Sequence, residues 1–336
     1  MIKQTNLKLK LTLSIFFSIF SGFMIFYCIM IFSPIAFHDP TEKWYQAVKD
    51  EITDDEKIFI YGSSRTAPLN SDHIENILKT YNYTFDVYNL SFNGDLPSKR
   101  LISINKIISM NPSIVVYGID DRMFSTIYSK NQNESIINEN KIQTFLPIPK
   151  EFFERVLFVI TDNLFFDKLP KSPKIVTLQT LQFLKSDSQI PENINITSKR
   201  PFSLAPETEI KNENIIKEKW ANESKIFGKV ISPEINRELF ALEEIISVLE
   251  KNDIDVILFR TPLTSIYLDW IPDTENVKLT RMINTLSNNL EIPFYDLSEN
   301  YIDLEIWNDE SHVADNQSSL IYSDDISQII IFEIEK

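Results

Sequence analysis

Short apolar runs alternate with helix-period segments along two stretches of this chain. Residues 57–61 (KIFIY), 85–90 (FDVYNL) and 113–118 (SIVVYG) read as strands, the last uninterrupted and β-branched as buried parallel strands are. Between them, residues 70–80 read as a helix with Asn70 or Ser71 as its N-cap, and 97–110 (PSKRLISINKIISM) as a helix opening at Pro97. The alternation resumes with a helix over 234–251, a strand at 255–259 (DVILF) and a helix over 274–289. A strand at 293–297 (PFYDL) and a final helix over 316–334 complete it. This order predicts an α/β fold, a parallel sheet covered by helices on both faces.

Two segments fall outside that rhythm. Residues 11–33 (LTLSIFFSIFSGFMIFYCIMIFS) carry no charge, and at about 1.5 Å per residue they can span a bilayer core of about 30 Å. The run is longer than the apolar region of a cleavable signal, and Pro34 to His38 make a poor cleavage site. A retained signal anchor is therefore expected over residues 1–37, followed by a polar, acidic stalk over 38–56. Lys3, Lys8 and Lys10 precede the run, which places the N-terminus in the cytoplasm and the main domain outside the membrane. Between 122 and 233 the chain is rich in Asn, Lys, Ser and Glu, with aromatic patches. Glu151, Glu154, Arg155 and Asp162 interrupt its longest apolar run, so an inserted cap is expected there rather than a second span. The α/β domain then comprises residues 57–121 and 234–336. Sequons at Asn133, Asn195 and Asn222 are what an Asn-rich chain produces by chance.

Charge and cysteine narrow the chemistry. Without the three leading lysines the chain holds 30 basic against 48 acidic residues, a surface that repels nucleic acid. The single cysteine, Cys28, lies in the apolar run, which removes disulfides, thiolate metal sites and a cysteine nucleophile from the outer domain. Neither a P-loop nor a dinucleotide fingerprint occurs, so no nucleotide cofactor is expected.

Glycine is scarce: five in 336 residues, where average usage would supply about two dozen. Gly22 and Gly228 lie elsewhere, but Gly62, Gly94 and Gly118 each follow a strand-like run, where ligands bind in an open parallel sheet. Ser63 and Ser64 follow Gly62, and a serine on a strand-to-helix turn can present its hydroxyl above the sheet. Alone, the pair equally suits a turn or a cap. Of three histidines, His38 and His73 have no suggestive company, whereas His312 follows Asp309 in WNDESHVAD. That D-x-x-H spacing on a turn lets the carboxylate hold one imidazole nitrogen and frees the other as a general base. A metal site on Asp309, His312 and Asp315 is the weaker alternative, because one histidine among carboxylates is thin for zinc.

These blocks resemble the SGNH (GDSL-like) hydrolase superfamily. Gly62-Ser63-Ser64 resembles its first block, with Ser64 at the nucleophile position and Ser63 in place of the usual Asp. Gly94 in NLSFNGDLPS matches the glycine whose amide helps form the oxyanion hole. Gly118-Ile119-Asp120-Asp121 resembles the third block, and Asp309 with His312 the last. The resemblance implies a flavodoxin-like three-layer sandwich and a Ser64–His312–Asp309 triad without a cofactor or metal. The implied oxyanion hole uses the Ser64 and Gly94 amides. Asp120 stands where the family's oxyanion-hole asparagine would be, and an ionised carboxylate cannot donate a hydrogen bond. Either Asp120 points away or the site has lost activity. Arg65 and Arg122 are candidate substrate contacts, although Arg122 equally suits a salt bridge with Asp121. The GSSR and YGIDDRMF spellings are similar to a membrane-anchored branch that includes the teichoic-acid D-alanyl transfer protein and the alginate O-acetylation proteins. That branch implies a polytopic membrane O-acyltransferase as partner and an acylated cell-surface glycan or glycolipid as substrate. The expected activity is that of a serine esterase or O-acyltransferase; the competing expectation is an inactive binding or assembly module of the same fold.

Overall fold

The computed structural model describes residues 21, 40–48, 56–126, 198–202, 208–221 and 228–336. In chain order the elements are α1 (Pro40–Val48), β1 (Lys57–Tyr61), α2 (Ser71–Thr80), β2 (Asp86–Asn89), α3 (Pro97–Arg100), α4 (Ile104–Ser109) and β3 (Ile114–Ile119). Then follow α5 (Glu213–Ala221), α6 (Arg237–Glu250), β4 (Asp255–Arg260), α7 (Ser265–Leu268), α8 (Asp273–Leu290), β5 (Phe294–Asp296) and α9 (Ile321–Ile334). The strands form one five-stranded sheet in the order β2-β1-β3-β4-β5, and every neighbouring pair is parallel. That order is flavodoxin-like, with the chain reversing its direction of travel between β1 and β3.

Strand periodicity explains why both faces are covered. Ile58 and Ile60 of β1 point into one core with Val87, Val116 and Ile257, beneath Ile74 and Leu78 of α2 and Ile326 and Ile330 of α9. Phe59 and Tyr61 point the other way, into a core with Val115, Tyr117 and Leu258 beneath α6 and α8. Successive side chains on a strand face opposite sides, so an unbroken apolar run is the signature of a sheet buried twice. The result is a three-layer sandwich.

Asn70 caps α2 by accepting from the His73 amide at 3.0 Å, as the spacing suggests. The expected continuous helix over 97–110 is instead broken by a 3-10 turn, Leu101–Ser103, between α3 and α4. Ser98 is anchored there to Glu238 of α6 through its amide (2.9 Å) and its hydroxyl (2.8 Å). Arg100 is drawn inward to Asp95 at 2.5 Å, and the Ser103 hydroxyl bonds back to the Arg100 carbonyl at 3.1 Å. Such local side-chain bonds compete with the helix ladder. The last expected helix begins with a separate 3-10 turn, Gln317–Ser319, capped by Asn316.

Residues 40–48 do not behave as a stalk. They form α1, and Trp44 is fully buried with its ring 6.1 Å from that of Phe59 and 5.5 Å from that of Tyr88. The segment expected as a cap also contributes to the α/β domain at both ends. Met123 and Phe124 are core residues, Phe202 is buried with them, and Val230 bridges to Ser125. The anchor at 11–33, residue 21 apart, lies outside the described residues. So do Gly22, Cys28, His38, Asn133, Asn195, Asn222 and most of the cap. Among the described residues no helix is long and apolar enough to cross a membrane.

Candidate active site

The turn after β1 carries Ser64 at the point where the strand order reverses. Gly62 adopts φ +150°, and a Cβ there would lie 2.8 Å from the Thr66 Cβ and 3.0 Å from the Gly118 carbonyl. A Cβ on Gly118 would overlap the Thr66 hydroxyl and come within 2.8 Å of Phe259. Two of the scarce glycines therefore make room for one side chain, Thr66, which seats the turn against the sheet. The Thr66 amide donates to the Ser63 carbonyl (3.0 Å) and the Leu69 amide to the Thr66 carbonyl (3.1 Å). Asn89, buried at the end of β2, donates its side-chain amide to the carbonyls of Thr66 (3.1 Å), Ala67 (3.3 Å) and Leu69 (2.9 Å). The serine is thus presented by a backbone held from below.

The loop between β5 and α9 carries Asp309 and His312. An antiparallel bridge between Trp307 and Val313 closes its base, and the Ala314 amide donates to the Ile306 carbonyl at 2.7 Å. The amides of Ser311 and His312 both donate to Asp309 Oδ1 at 2.9 Å. His312 Nδ1 lies 2.8 Å from Asp309 Oδ1 and 3.0 Å from Oδ2. A carboxylate there assigns the proton to Nδ1, so His312 Nε2 accepts from the Ser64 hydroxyl, at 2.8 Å. Burial works to raise the Asp309 carboxyl. The His312 hydrogen bond and charge, with the two backbone amides, override it and hold the group well below the usual carboxylate range. The structure therefore brings Ser64, His312 and Asp309 into one hydrogen-bonded line. Asp315 does not join them; it pairs with Arg200. Among the described residues no group of three or more His, Cys, Asp or Glu side chains is arranged to hold a metal.

Beneath the serine turn lies a buried charge cluster. Arg65 is 1% exposed, with its guanidinium 3.0 Å from Asp120, in contact with Asp121, and 4.5 Å from the Tyr267 ring centroid. It is not a substrate contact, because its charge is spent inside the fold. Asp120 Oδ1 accepts from the Arg122 amide at 2.9 Å, and Oδ2 from the Ser63 hydroxyl at 3.1 Å and Arg122 Nη2 at 3.2 Å. The Tyr267 hydroxyl donates to Asp121 at 3.0 Å. Burial raises Asp120, but Arg65 and then Arg122 outweigh it and keep the carboxyl far below its ordinary value. For Asp121 burial prevails, and with Asp120 beside it the group shifts upward despite Arg65. Asp120 is thus an ionised acceptor whose two oxygens are already engaged, and it donates nothing. Arg122 pairs with Asp120 and keeps 27% of its side chain exposed, and its charge also acts on Asp121.

Gly94 lies in the loop after β2 with φ +69°, and 3.9 Å separates the nearest atom from where its Cβ would be. Backbone conformation rather than crowding calls for glycine here. The Phe92 amide donates to the Gly62 carbonyl at 3.2 Å, which ties this loop to the serine turn. Three residues that shape the site escaped the sequence reading: Asn89, Arg200 and Tyr267. An asparagine closing a strand, an arginine in a polar stretch and a tyrosine on a short helix carry no local signal; only their long-range partners give them a role.

No family model matches the chain, and no curated protein matches it. Among solved structures, the psychrotrophic esterase EstA from Pseudoalteromonas sp., in a form inhibited by monoethylphosphonate, is similar at 9% identity and a TM-score of 0.41. That alignment covers 84% of this chain and 100% of EstA. The crystal structure of TesA is similar at 9% identity and a TM-score of 0.33, over 71% of this chain and 77% of TesA. The fold assignment rests on the strand order and register themselves.

Proposed function

We propose that the chain is a serine hydrolase of the SGNH type, an esterase or O-acyltransferase acting on acyl groups of a cell-surface glycan or glycolipid. The observation that carries this reading is the unbroken line Ser64 Oγ–His312 Nε2 (2.8 Å) and His312 Nδ1–Asp309 (2.8 Å). Ser64 Oγ attacks the acyl carbonyl carbon while its proton passes to His312 Nε2. The tetrahedral intermediate collapses, and the departing alcohol oxygen takes that proton from His312. An acyl-Ser64 ester remains. A sugar hydroxyl or water then attacks this ester, gives its proton to His312, and the Ser64 hydroxyl is restored. Asp309 stays ionised throughout, orients the imidazole and stabilises its cation. The Ser64 and Gly94 amides are the proposed oxyanion donors; among the described residues neither is engaged in a hydrogen bond.

The anchor at 11–33 would place this chemistry outside the cytoplasmic membrane, beside a polytopic acyltransferase that supplies the acyl group. The alternative, an inactive assembly module, draws on Asp120 and Ser63. Their mutual hydrogen bond, with Arg65 and Arg122 beside the carboxylate, gives both residues a structural part in the serine turn and is compatible with the active reading. Covalent labelling by a fluorophosphonate tests the proposal. The wild-type chain should be labelled at Ser64 and the Ser64→Ala variant should not; equal labelling of both would sink the mechanism.

A further inference from the structure

We propose that Arg200 is a positioning residue that clamps the serine turn to the histidine loop and so fixes the Ser64–His312 contact; this rests on the catalytic reading above. Ser64 and His312 lie 248 positions apart in sequence, on different loops. Their contact survives only if the two loops keep a constant offset. Arg200 spans that offset with a single side chain. Its Nη2 donates to the Ala67 carbonyl, three residues past Ser64, at 2.6 Å. Its Nη1 and Nη2 also meet the two oxygens of Asp315, three residues past His312, at 3.0 and 2.5 Å.

A planar guanidinium suits this task. Its fork grips a carboxylate with two nitrogens and still has a proton for a carbonyl, which a lysine ammonium cannot reproduce. The side chains of Arg200 and Asp315 are only 20% and 18% exposed, so solvent screens the pair less than an ordinary surface bridge.

The backbone on either side of the clamp is fixed as well. The Lys199 carbonyl accepts from the Asn89 amide at 2.8 Å and from the Ser71 hydroxyl at 3.3 Å. Asn89 is the residue whose side chain holds the serine turn. On the other side, the Thr208 amide donates to the Asp315 carbonyl (3.0 Å) and the Thr208 hydroxyl accepts from the Asp315 amide (2.6 Å). Asn316 donates its side-chain amide to the Thr208 carbonyl at 2.8 Å. Lys199 thus meets the strand end that holds the serine turn and Thr208 meets the histidine loop, with Arg200 as the crosspiece. Arg200 touches neither Ser64 nor His312; it acts through Ala67 and Asp315.

The rate at which a fluorophosphonate labels the full-length chain tests this without knowledge of the natural substrate. Ser64 Oγ attacks phosphorus, its proton goes to His312, and fluoride leaves, so the rate reports the Ser64–His312 geometry. A displacement of about 1 Å in a reacting constellation costs about 100-fold. Arg200→Met and Asp315→Asn should each slow labelling by roughly 10- to 100-fold. The double variant should be no slower than the slower single one, as expected of two partners in one contact. Arg200→Lys should fall between wild type and Arg200→Met. All rates are taken well below the unfolding midpoint of every variant, where lost stability alone does not slow labelling. An unchanged rate in Arg200→Met, or multiplicative slowing in the double variant, would overturn the clamp while leaving the functional reading intact. A wild-type chain that is not labelled at Ser64 would overturn both. Should Arg200→Met not fold, Arg200→Lys decides alone: slowed labelling supports the clamp, and a wild-type rate refutes it.

Discussion

Removing the Asp120 carboxylate should destabilise the protein through the arginine it leaves behind. In Asp120→Ala, fully buried Arg65 keeps only Asp121 and Tyr267 as partners, and the Ser63 hydroxyl loses its acceptor. Deleting one partner of a buried ion pair costs about 3–5 kcal/mol. The lower end applies, because Asp121 still faces Arg65 and the partly exposed Arg122 can turn to water; about 3 kcal/mol is expected. Arg65→Met should cost at least as much, since it leaves two adjacent buried carboxylates with only the partly exposed Arg122 beside them. Together the substitutions should cost less than their sum by 1 kcal/mol or more, a coupling of about the size seen for contacting groups. The double variant removes one charge of each sign, so neither Arg65 nor Asp120 is left without the other, and Asp121 keeps its hydrogen bond with Tyr267. Urea unfolding of wild type, both single variants and the double variant near neutral pH measures all three quantities. Single-variant losses below about 1 kcal/mol, or additivity within about 0.5 kcal/mol, would refute the cluster as a mutually dependent unit.

Asp309→Asn should lower kcat on an activated ester by about 10⁴-fold with little change in KM, because an amide presents the wrong donor to His312 and reverses its tautomer. Asp309 also sets a pH dependence. Its folded-state pKa is depressed, so its contribution to stability is present above the unfolded carboxylate value of about 3.9 and fades as pH falls below it. The stability gap between wild type and Asp309→Asn, followed by urea unfolding, should therefore narrow from neutral pH to about pH 3; a constant gap would contradict the assignment. Trp44→Ala should cost about 3–5 kcal/mol, as for a core aromatic, and a loss below about 1 kcal/mol would return residues 40–48 to the status of a stalk.

The sheet was legible because its strands are short, apolar and separated by helix-period segments, and a parallel sheet buried on both faces imposes that pattern. Gly62 and Gly118 stood out for a reason that lies in three dimensions: both face Thr66, four positions after one and far from the other. The Asp309–His312 contact was legible because a D-x-x-H turn is a local device and histidine is rare in this chain. What stayed hidden is long-range. Trp44 looked like part of an acidic stalk because a single tryptophan has no periodicity to announce its burial. Arg65 looked like a substrate contact because its counterions, Asp120 and Asp121, lie more than fifty positions away. The hydrogen bond from Ser63 to Asp120 joins residues 57 positions apart and has no local signal. The break in the helix after Pro97 depends on Glu238, 140 positions from Ser98.

The claim on which the rest stands is that Ser64, with His312 as its base, carries an acyl group. Mass spectrometry of the chain quenched during turnover of an activated acetyl ester measures this most directly. The expected result is an acetyl group on the peptide containing Ser64, absent in Ser64→Ala and strongly reduced in His312→Ala. An acetyl group on another residue, no adduct on any peptide, or an adduct as abundant in His312→Ala as in wild type would contradict it.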